Sequence, residues 1–90
     1  MKTKVVNIKK KEKYDIYIGR GSVFGNPFVI GIDGTREEVI AKFKEYFYKR
    51  LESDDFFMKS VRMLKGKTLG CFCKPLPCHA DVIINYLEGE

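Results

Sequence analysis

The alternation of apolar and polar residues predicts several short strands in the first third of the chain. Tyr14–Ile18 is the clearest strand, because every second residue is apolar and lies on one face. Lys4–Ile8 is a shorter candidate, and the polar residues 9–13 predict a turn between the two. The two strands could pair as a hairpin, although so long a link also permits another arrangement. Residues 28–31 predict a third brief strand, which a turn at residues 32–34 closes.

Helical spacing of apolar residues dominates the rest of the chain. A first helix starts at Thr35, which can form a capping box with Glu38, and it ends near Glu52. A shorter helix follows and stops at Gly66, and Ala80–Leu87 forms the last helix. The apolar face of the first helix consists of Val39, Ile40, Phe43, Tyr46, Phe47 and Leu51.

Thr68–Cys73 reads as a buried strand between the second and third helices. This order of elements predicts one α/β or α+β domain over residues 1–90, with three to four short strands, three helices packed on them and a Rossmann-like arrangement. The length of 90 residues and a hydrophobic content of 44% fit a single small globular domain. We expect a cytoplasmic protein without membrane contact, because the chain has neither a long apolar segment nor a signal-peptide pattern.

The positive charge is concentrated at the start of the chain. Residues 1–20 contain seven basic and two acidic side chains, whereas the remaining residues contain ten of each. This surplus includes Lys9, Lys10, Lys11 and Lys13 and could attract a phosphate backbone. A solvated turn that keeps the protein soluble is the simpler explanation of such a cluster.

All three cysteines and the only histidine lie within nine residues, as Cys71, Cys73, Cys78 and His79. Cys71 and Cys73 share one face of a strand, and Cys78 and His79 lie where the next helix begins. Three thiolates and one imidazole are a common ligand set for structural zinc. We therefore expect these four residues to bind a metal, with zinc as the candidate cofactor.

Two other interpretations of the cluster stay open. Cys78 at a helix start is suited to a reactive thiolate, with His79 as its base and Asp81 holding the imidazole, and these three would then be the catalytic residues. Asp81 could equally be a carboxylate that satisfies the first turn of the helix. Alternatively, the reduced cysteines simply fill the core as small apolar residues.

A glycine-rich loop directly follows the clearest strand. Its amides, together with the charged fork of Arg20, could bind a phosphate. If the strand before this loop and the strand before the cysteines are parallel neighbours, both loops leave the sheet at one edge, where open α/β sheets bind ligands. The candidate phosphate-binding residues are Gly19, Arg20, Gly21, Ser22 and Asn26.

Four motifs resemble the family called domain of unknown function 4326, whose members are short bacterial and phage proteins. They are the segments 17–22 (YIGRGS), 25–28 (GNPF), 34–38 (GTREE) and 69–81 (LGCFCKPLPCHAD). Phe72 stands where the family pattern has tryptophan, and Ala80 where it has glycine. The resemblance implies that both loops belong to one site, but it implies no activity.

Three functions follow from these observations as hypotheses. The first is a zinc-binding protein that also binds a phosphate-bearing partner, either a nucleotide or a nucleic acid. The second is a thiol-dependent enzyme that acts on a nucleotide or phosphosugar. The third is a nucleic-acid-binding module that uses the basic N-terminal segment.

Overall fold

The computed structural model describes residues 2–19, 21–72 and 78–89. These residues form three strands, three α-helices and one 3-10 turn. In chain order they are β1 Lys4–Asn7, the 3-10 turn Ile8–Lys10, β2 Ile16–Tyr17, α1 Arg36–Ser53, α2 Asp55–Arg62, β3 Thr68–Cys71 and α3 His79–Gly89. The small α/β domain predicted from the sequence is confirmed, with three strands in the part of the chain described.

The last strand in sequence is the central strand of the sheet. The strand order is β1-β3-β2, and both neighbours run parallel to β3. Leu69 is the register partner of Val5 on one side and of Ile16 on the other. The first two strands therefore do not form a hairpin, and the alternative arrangement that their long link permits is the one observed.

The link between β1 and β2 crosses β3 at Gly70. A Cβ atom placed on Gly70 would lie 2.6 Å from Ile8 Cγ2 and 2.8 Å from Tyr14 Cγ. Its strand neighbours Leu69 and Cys71 are fully buried and, by the alternation of a strand, face the other side of the sheet. A side chain at position 70 would thus occupy the space through which the link passes.

The helices pack on the face of the sheet that carries Leu69. Helix α1 begins with the predicted capping box, in which Thr35 Oγ1 accepts from the Glu38 amide and Glu38 Oε1 accepts from the Thr35 amide. Phe43, Phe47 and Leu51 of its predicted apolar face belong to the core, and Ile40 and Tyr46 pack against it. Val39 is also buried. The largest fully buried side chains are Phe43, Phe47, Ile18, Leu64, Leu69, Ile83, Val61 and Cys71.

The strand predicted at residues 28–31 does not form. Instead, the Asp33 carboxylate accepts from the Val29 amide at 2.7 Å, and the Asp33 amide donates to the Val29 carbonyl at 2.8 Å. Ile30 makes only an isolated bridge to Gly34. The aspartate closes this segment on itself as a turn, so its backbone groups are not presented to the sheet.

Thr3 joins three distant parts of the chain. Its hydroxyl donates to Glu88 Oε2 at 2.8 Å and accepts from the Gly66 amide, also at 2.8 Å. The hydroxyl and amide of Thr3 both hydrogen-bond to the Glu88 carboxylate and lower its pKa below 4.5. The ionised form of Glu88 therefore contributes to holding the start of the chain on α3.

Replacing Gly70 by alanine is expected to destabilise the fold by about 1–3 kcal/mol, because the new methyl group overlaps Ile8 and Tyr14. Urea unfolding of the purified variant measures this loss. Gly89→Ala is the matched control, since a Cβ atom there meets nothing within 4 Å. Equal stability of Gly70→Ala and the parent chain would contradict the described path of the link.

Glu88→Gln tests the contact with Thr3 through pH. A carboxyl group whose pKa is lowered on folding contributes stability above its unfolded value of 4.5, and loses that contribution as pH falls through its folded pKa. The stability difference between the parent chain and Glu88→Gln should therefore shrink as unfolding is measured from about pH 6 down to about pH 3. Glu52→Gln, at an exposed site on α1, serves as the control. A difference that is constant over this range would contradict the contact.

Candidate functional site

The two loops singled out in the sequence leave the sheet at the same edge. Strands β2 and β3 are parallel neighbours, so Gly19 and Phe72 follow strand ends that lie side by side. This confirms the condition from which a shared site was inferred. Helix α1 follows β2 in the chain and returns to β3 through α2, so its N-terminus also faces this edge.

A cavity of about 220 Å³ lies at this edge. Gly19, Asn26, Cys71, Cys78 and His79, all predicted site residues, line it. Its other lining residues are mainly apolar and come from the segment before α1, from α1 itself and from the end of β3: Phe28, Ile30, Val39, Ile40 and Phe72. The cavity thus lies between the glycine-rich loop, the start of α1, and the two residues Cys71 and Cys78.

Cys71 and Cys78 form a buried pair of reduced thiols. Their Sγ atoms are 3.5 Å apart, and the two residues are 1% and 3% exposed. A disulfide needs about 2.05 Å between the sulfurs, so the pair is not bonded. Two thiolates on one tetrahedral zinc, with bonds of about 2.3 Å, have sulfurs about 3.8 Å apart.

His79 connects the start of α3 to the end of β2. Its Nε2 lies 2.7 Å from the carbonyl oxygen of Ile18, and the residue is buried. Because a carbonyl oxygen only accepts, Nε2 carries a proton and donates it. The edge of the ring packs against Phe43 of α1, with the ring centroids 5.2 Å apart. The imidazole is therefore held by groups from two other elements.

Asp81 occupies the first turn of α3 and contacts the backbone of Cys78. The Cys78 amide donates to Asp81 Oδ2 at 3.1 Å, and the Asp81 amide donates to the Cys78 carbonyl at 3.0 Å. Asp81 therefore satisfies a backbone amide at the start of α3, which is one of the two roles that the sequence left open for it. Orientation of the imidazole by Asp81 stays a prediction.

The described residues of the glycine-rich loop fold back on Gly19. Both the amide and the hydroxyl of Ser22 donate to the Gly19 carbonyl, at 3.1 and 2.7 Å. A Cβ atom on Gly25 would lie 2.6 Å from the same carbonyl oxygen, and Gly21 has a φ of 93°. The amide and hydroxyl of Ser22 thus stabilise the loop itself. Arg20, another predicted phosphate-binding residue, lies outside the described residues.

Asn26 ends this loop and lines the cavity. Its Oδ1 accepts from the Phe28 amide at 2.9 Å, which fixes the turn that leads toward α1. Among the predicted phosphate-binding residues, Gly19 and Asn26 line the cavity.

The predicted four-residue metal set is brought together only in part. Within residues 2–19, 21–72 and 78–89, no three side chains of His, Cys, Asp or Glu are placed to hold one ion. Cys71 and Cys78 converge, and His79 adjoins them in the cavity wall. Cys73 lies outside the described residues, so its part in the set stays a prediction.

Arg36 is a cavity residue that the sequence interpretation missed. It is the first residue of α1, and it brings a positively charged side chain to the cavity wall. The capping box at Thr35 already located this helix start. Since the helix of a β-α-β unit begins at the carboxyl edge of the sheet, that position could have been recognised as part of the site.

None of the described helices is both long and apolar enough to cross a membrane.

The chain is similar to a phage protein. It is 43% identical over 86 residues to an uncharacterized 12.4 kDa protein in the nrdA-td intergenic region of Enterobacteria phage T4, and the match covers 94% of this chain and 77% of that protein. No solved structure matches the chain significantly, so the Rossmann-like arrangement stays a prediction. The model of the domain of unknown function DUF4326 matches residues 2–89. The chain therefore belongs to the DUF4326 family.

Proposed function

We propose that Cys71, Cys73, Cys78 and His79 bind a zinc ion in the wall of a cavity that takes a phosphate-bearing ligand such as a nucleotide. The observation that carries this proposal is the distance of 3.5 Å between the buried Sγ atoms of Cys71 and Cys78. That distance is within about 0.3 Å of the separation of two thiolates on one tetrahedral zinc.

The setting of His79 also suits a metal site. Histidines that bind metals commonly donate their other ring N–H to a carbonyl, which fixes the orientation of the ring. His79 donates in this way from Nε2 to Ile18, so Nδ1 is the nitrogen that would bind the ion. Cys73 is two residues beyond Cys71 and would supply the remaining thiolate. When bound, zinc would cross-link β3 to α3 and stabilise this small domain.

The cavity offers a suitable environment for one end of a nucleotide. Its apolar walls suit a base, and Asn26 and Arg36 supply polar groups. A guanidinium such as that of Arg36 binds phosphate oxygens in pairs. Pockets for complete small molecules usually measure about 300–1,000 Å³, so a volume of about 220 Å³ fits the base or the phosphate end alone.

A thiol-dependent enzyme is the second candidate, and the position of Cys78 favours it. This residue lines the cavity and directly precedes α3, where helix amides favour a thiolate. His79 would serve as the base, and Asp81 would hold the imidazole. The Asp81 carboxylate also accepts from the Cys78 amide, which keeps it at the start of α3. The Cys78 thiol would give its proton to His79, and Sγ would bond to an electrophilic carbon of a ligand in the cavity. The bond from that carbon to its leaving group would break, and the leaving group would take the proton from His79.

Elemental analysis of the purified protein separates the two candidates. We expect about one zinc per chain, and a melting temperature that falls by more than about 5 °C after chelation, because the ion cross-links two elements. Cys71→Ser and Cys78→Ser should each lose most of the zinc. Thr68→Ser, a conservative change in the same strand, should keep it.

The rate at which the cysteines of the same preparations are alkylated shows whether their thiols bind zinc or are reactive. Zinc-bound thiolates should label slowly until a chelator is added. Protein without zinc, with unchanged melting after chelation, would contradict the metal site. Fast labelling of Cys78 near neutral pH in that protein, slowed by a nucleotide, would support the thiol-dependent enzyme instead.

A further inference from the structure

Lysines of the link between β1 and β2 lie beside exposed aromatic rings: Lys9 Nζ is 5.5 Å from the centroid of the Phe72 ring, and Lys11 and Lys13 line a surface pocket with Tyr14. Residues 1–20 carry seven basic and two acidic side chains, and Lys9, Lys10, Lys11 and Lys13 are all exposed. Phe72 is 49% exposed and Tyr14 is 45% exposed. We propose that these six residues, called here the basic-aromatic face, bind single-stranded nucleic acid.

The lysines of this face are carried by an anchored segment. The Lys9 amide donates to Asn7 Oδ1 at 2.8 Å, and the Lys11 amide donates to the Ile8 carbonyl at 3.3 Å. At the other end, the Asp15 amide donates to the Thr68 carbonyl, and the Asp15 carboxylate accepts from the Thr68 amide. The side chains therefore project from a fixed link across β3, so little backbone freedom is lost on binding.

Phe72 is positioned as a surface for stacking. The Asn7 side-chain amide donates to its carbonyl at 3.3 Å, and the Tyr17 ring meets it edge to face, with the centroids 6.0 Å apart. Lys9 Nζ lies 5.5 Å from the centroid of the Phe72 ring. A supported aromatic ring next to an ammonium group can stack on a base while the ammonium contacts a phosphate.

The combination of groups favours a single strand over other anionic partners. A duplex hides the faces of its bases and would leave Phe72 without a stacking partner. An acidic peptide would pair with the lysines but not stack on the ring. Phe72 also lines the cavity, so one base of a bound strand would lie at the cavity mouth. The inference goes beyond the proposed zinc and nucleotide binding and does not depend on it.

Fluorescence anisotropy of a labelled oligothymidine of about 12 nucleotides, titrated with the intact protein, tests this proposal. Binding should weaken as salt rises, with a logarithmic slope of about −0.7 for each phosphate contact. Lys10→Gln together with Lys13→Gln should make that slope shallower by about 0.7 for each lysine in contact. Lys44→Gln, an exposed lysine on α1, should leave the slope unchanged.

Phe72→Leu separates stacking from charge. It should weaken binding by roughly 5- to 150-fold with the salt slope unchanged, because stacking of one base is lost. Phe56→Leu is the matched control, since Phe56 is 79% exposed on α2. Melting temperature identifies any variant that fails to fold. If Phe72→Leu fails to fold, the salt dependence of the lysine variants tests the proposal.

Three results would overturn the proposal. They are no binding of the oligothymidine at about 50 mM salt, equal or tighter binding of a duplex of the same length, and unchanged affinity in Phe72→Leu. Zinc content and binding of a free nucleotide should be unaffected by Lys10→Gln and Lys13→Gln. Failure of this proposal and failure of the zinc site are therefore distinguishable.

Discussion

The hydrogen bond from His79 Nε2 to the Ile18 carbonyl is the interaction on which the candidate site depends. Ile18 is fully buried, its amide donates to Gly70 of β3, and its carbonyl accepts from His79 at 2.7 Å. Both backbone groups of this residue are thus satisfied, as burial requires. The bond fixes the start of the glycine-rich loop against the start of α3, next to the pair Cys71 and Cys78.

The central position of β3 makes that contact attainable. Two connections pass over opposite faces of the sheet: the link from β1 to β2 on one face, and α1 with α2 on the other. Gly70 admits the link, and its neighbours Leu69 and Cys71 are buried under the helices. Strand β3 therefore separates the basic-aromatic face from the core, and it also ends at the cavity. Phe72 directly follows this strand, so it belongs to the basic-aromatic face and also lines the cavity.

Local patterns in the sequence predicted the helices well, because caps and apolar periodicity act over a few residues. Thr35 and Glu38 alone locate the start of α1. The order of the strands depends instead on contacts between distant residues, such as the one between Ile8 and the position of Gly70, and the pattern along the chain left it open. For the same reason, the pattern along the chain did not identify Arg36 as a cavity residue. It also wrongly predicted a strand at residues 28–31, where the Asp33 carboxylate competes with strand pairing.

The nitrogen-15 NMR spectrum of the imidazole tests the central claim most directly, because His79 is the only histidine in the chain. We expect Nε2 to carry the proton near neutral pH, with a coupling across the hydrogen bond to the Ile18 carbonyl carbon. Nδ1 should then be unprotonated and respond to zinc. A proton on Nδ1 with Nε2 unprotonated, or no coupling to the Ile18 carbonyl carbon, would contradict this hydrogen bond.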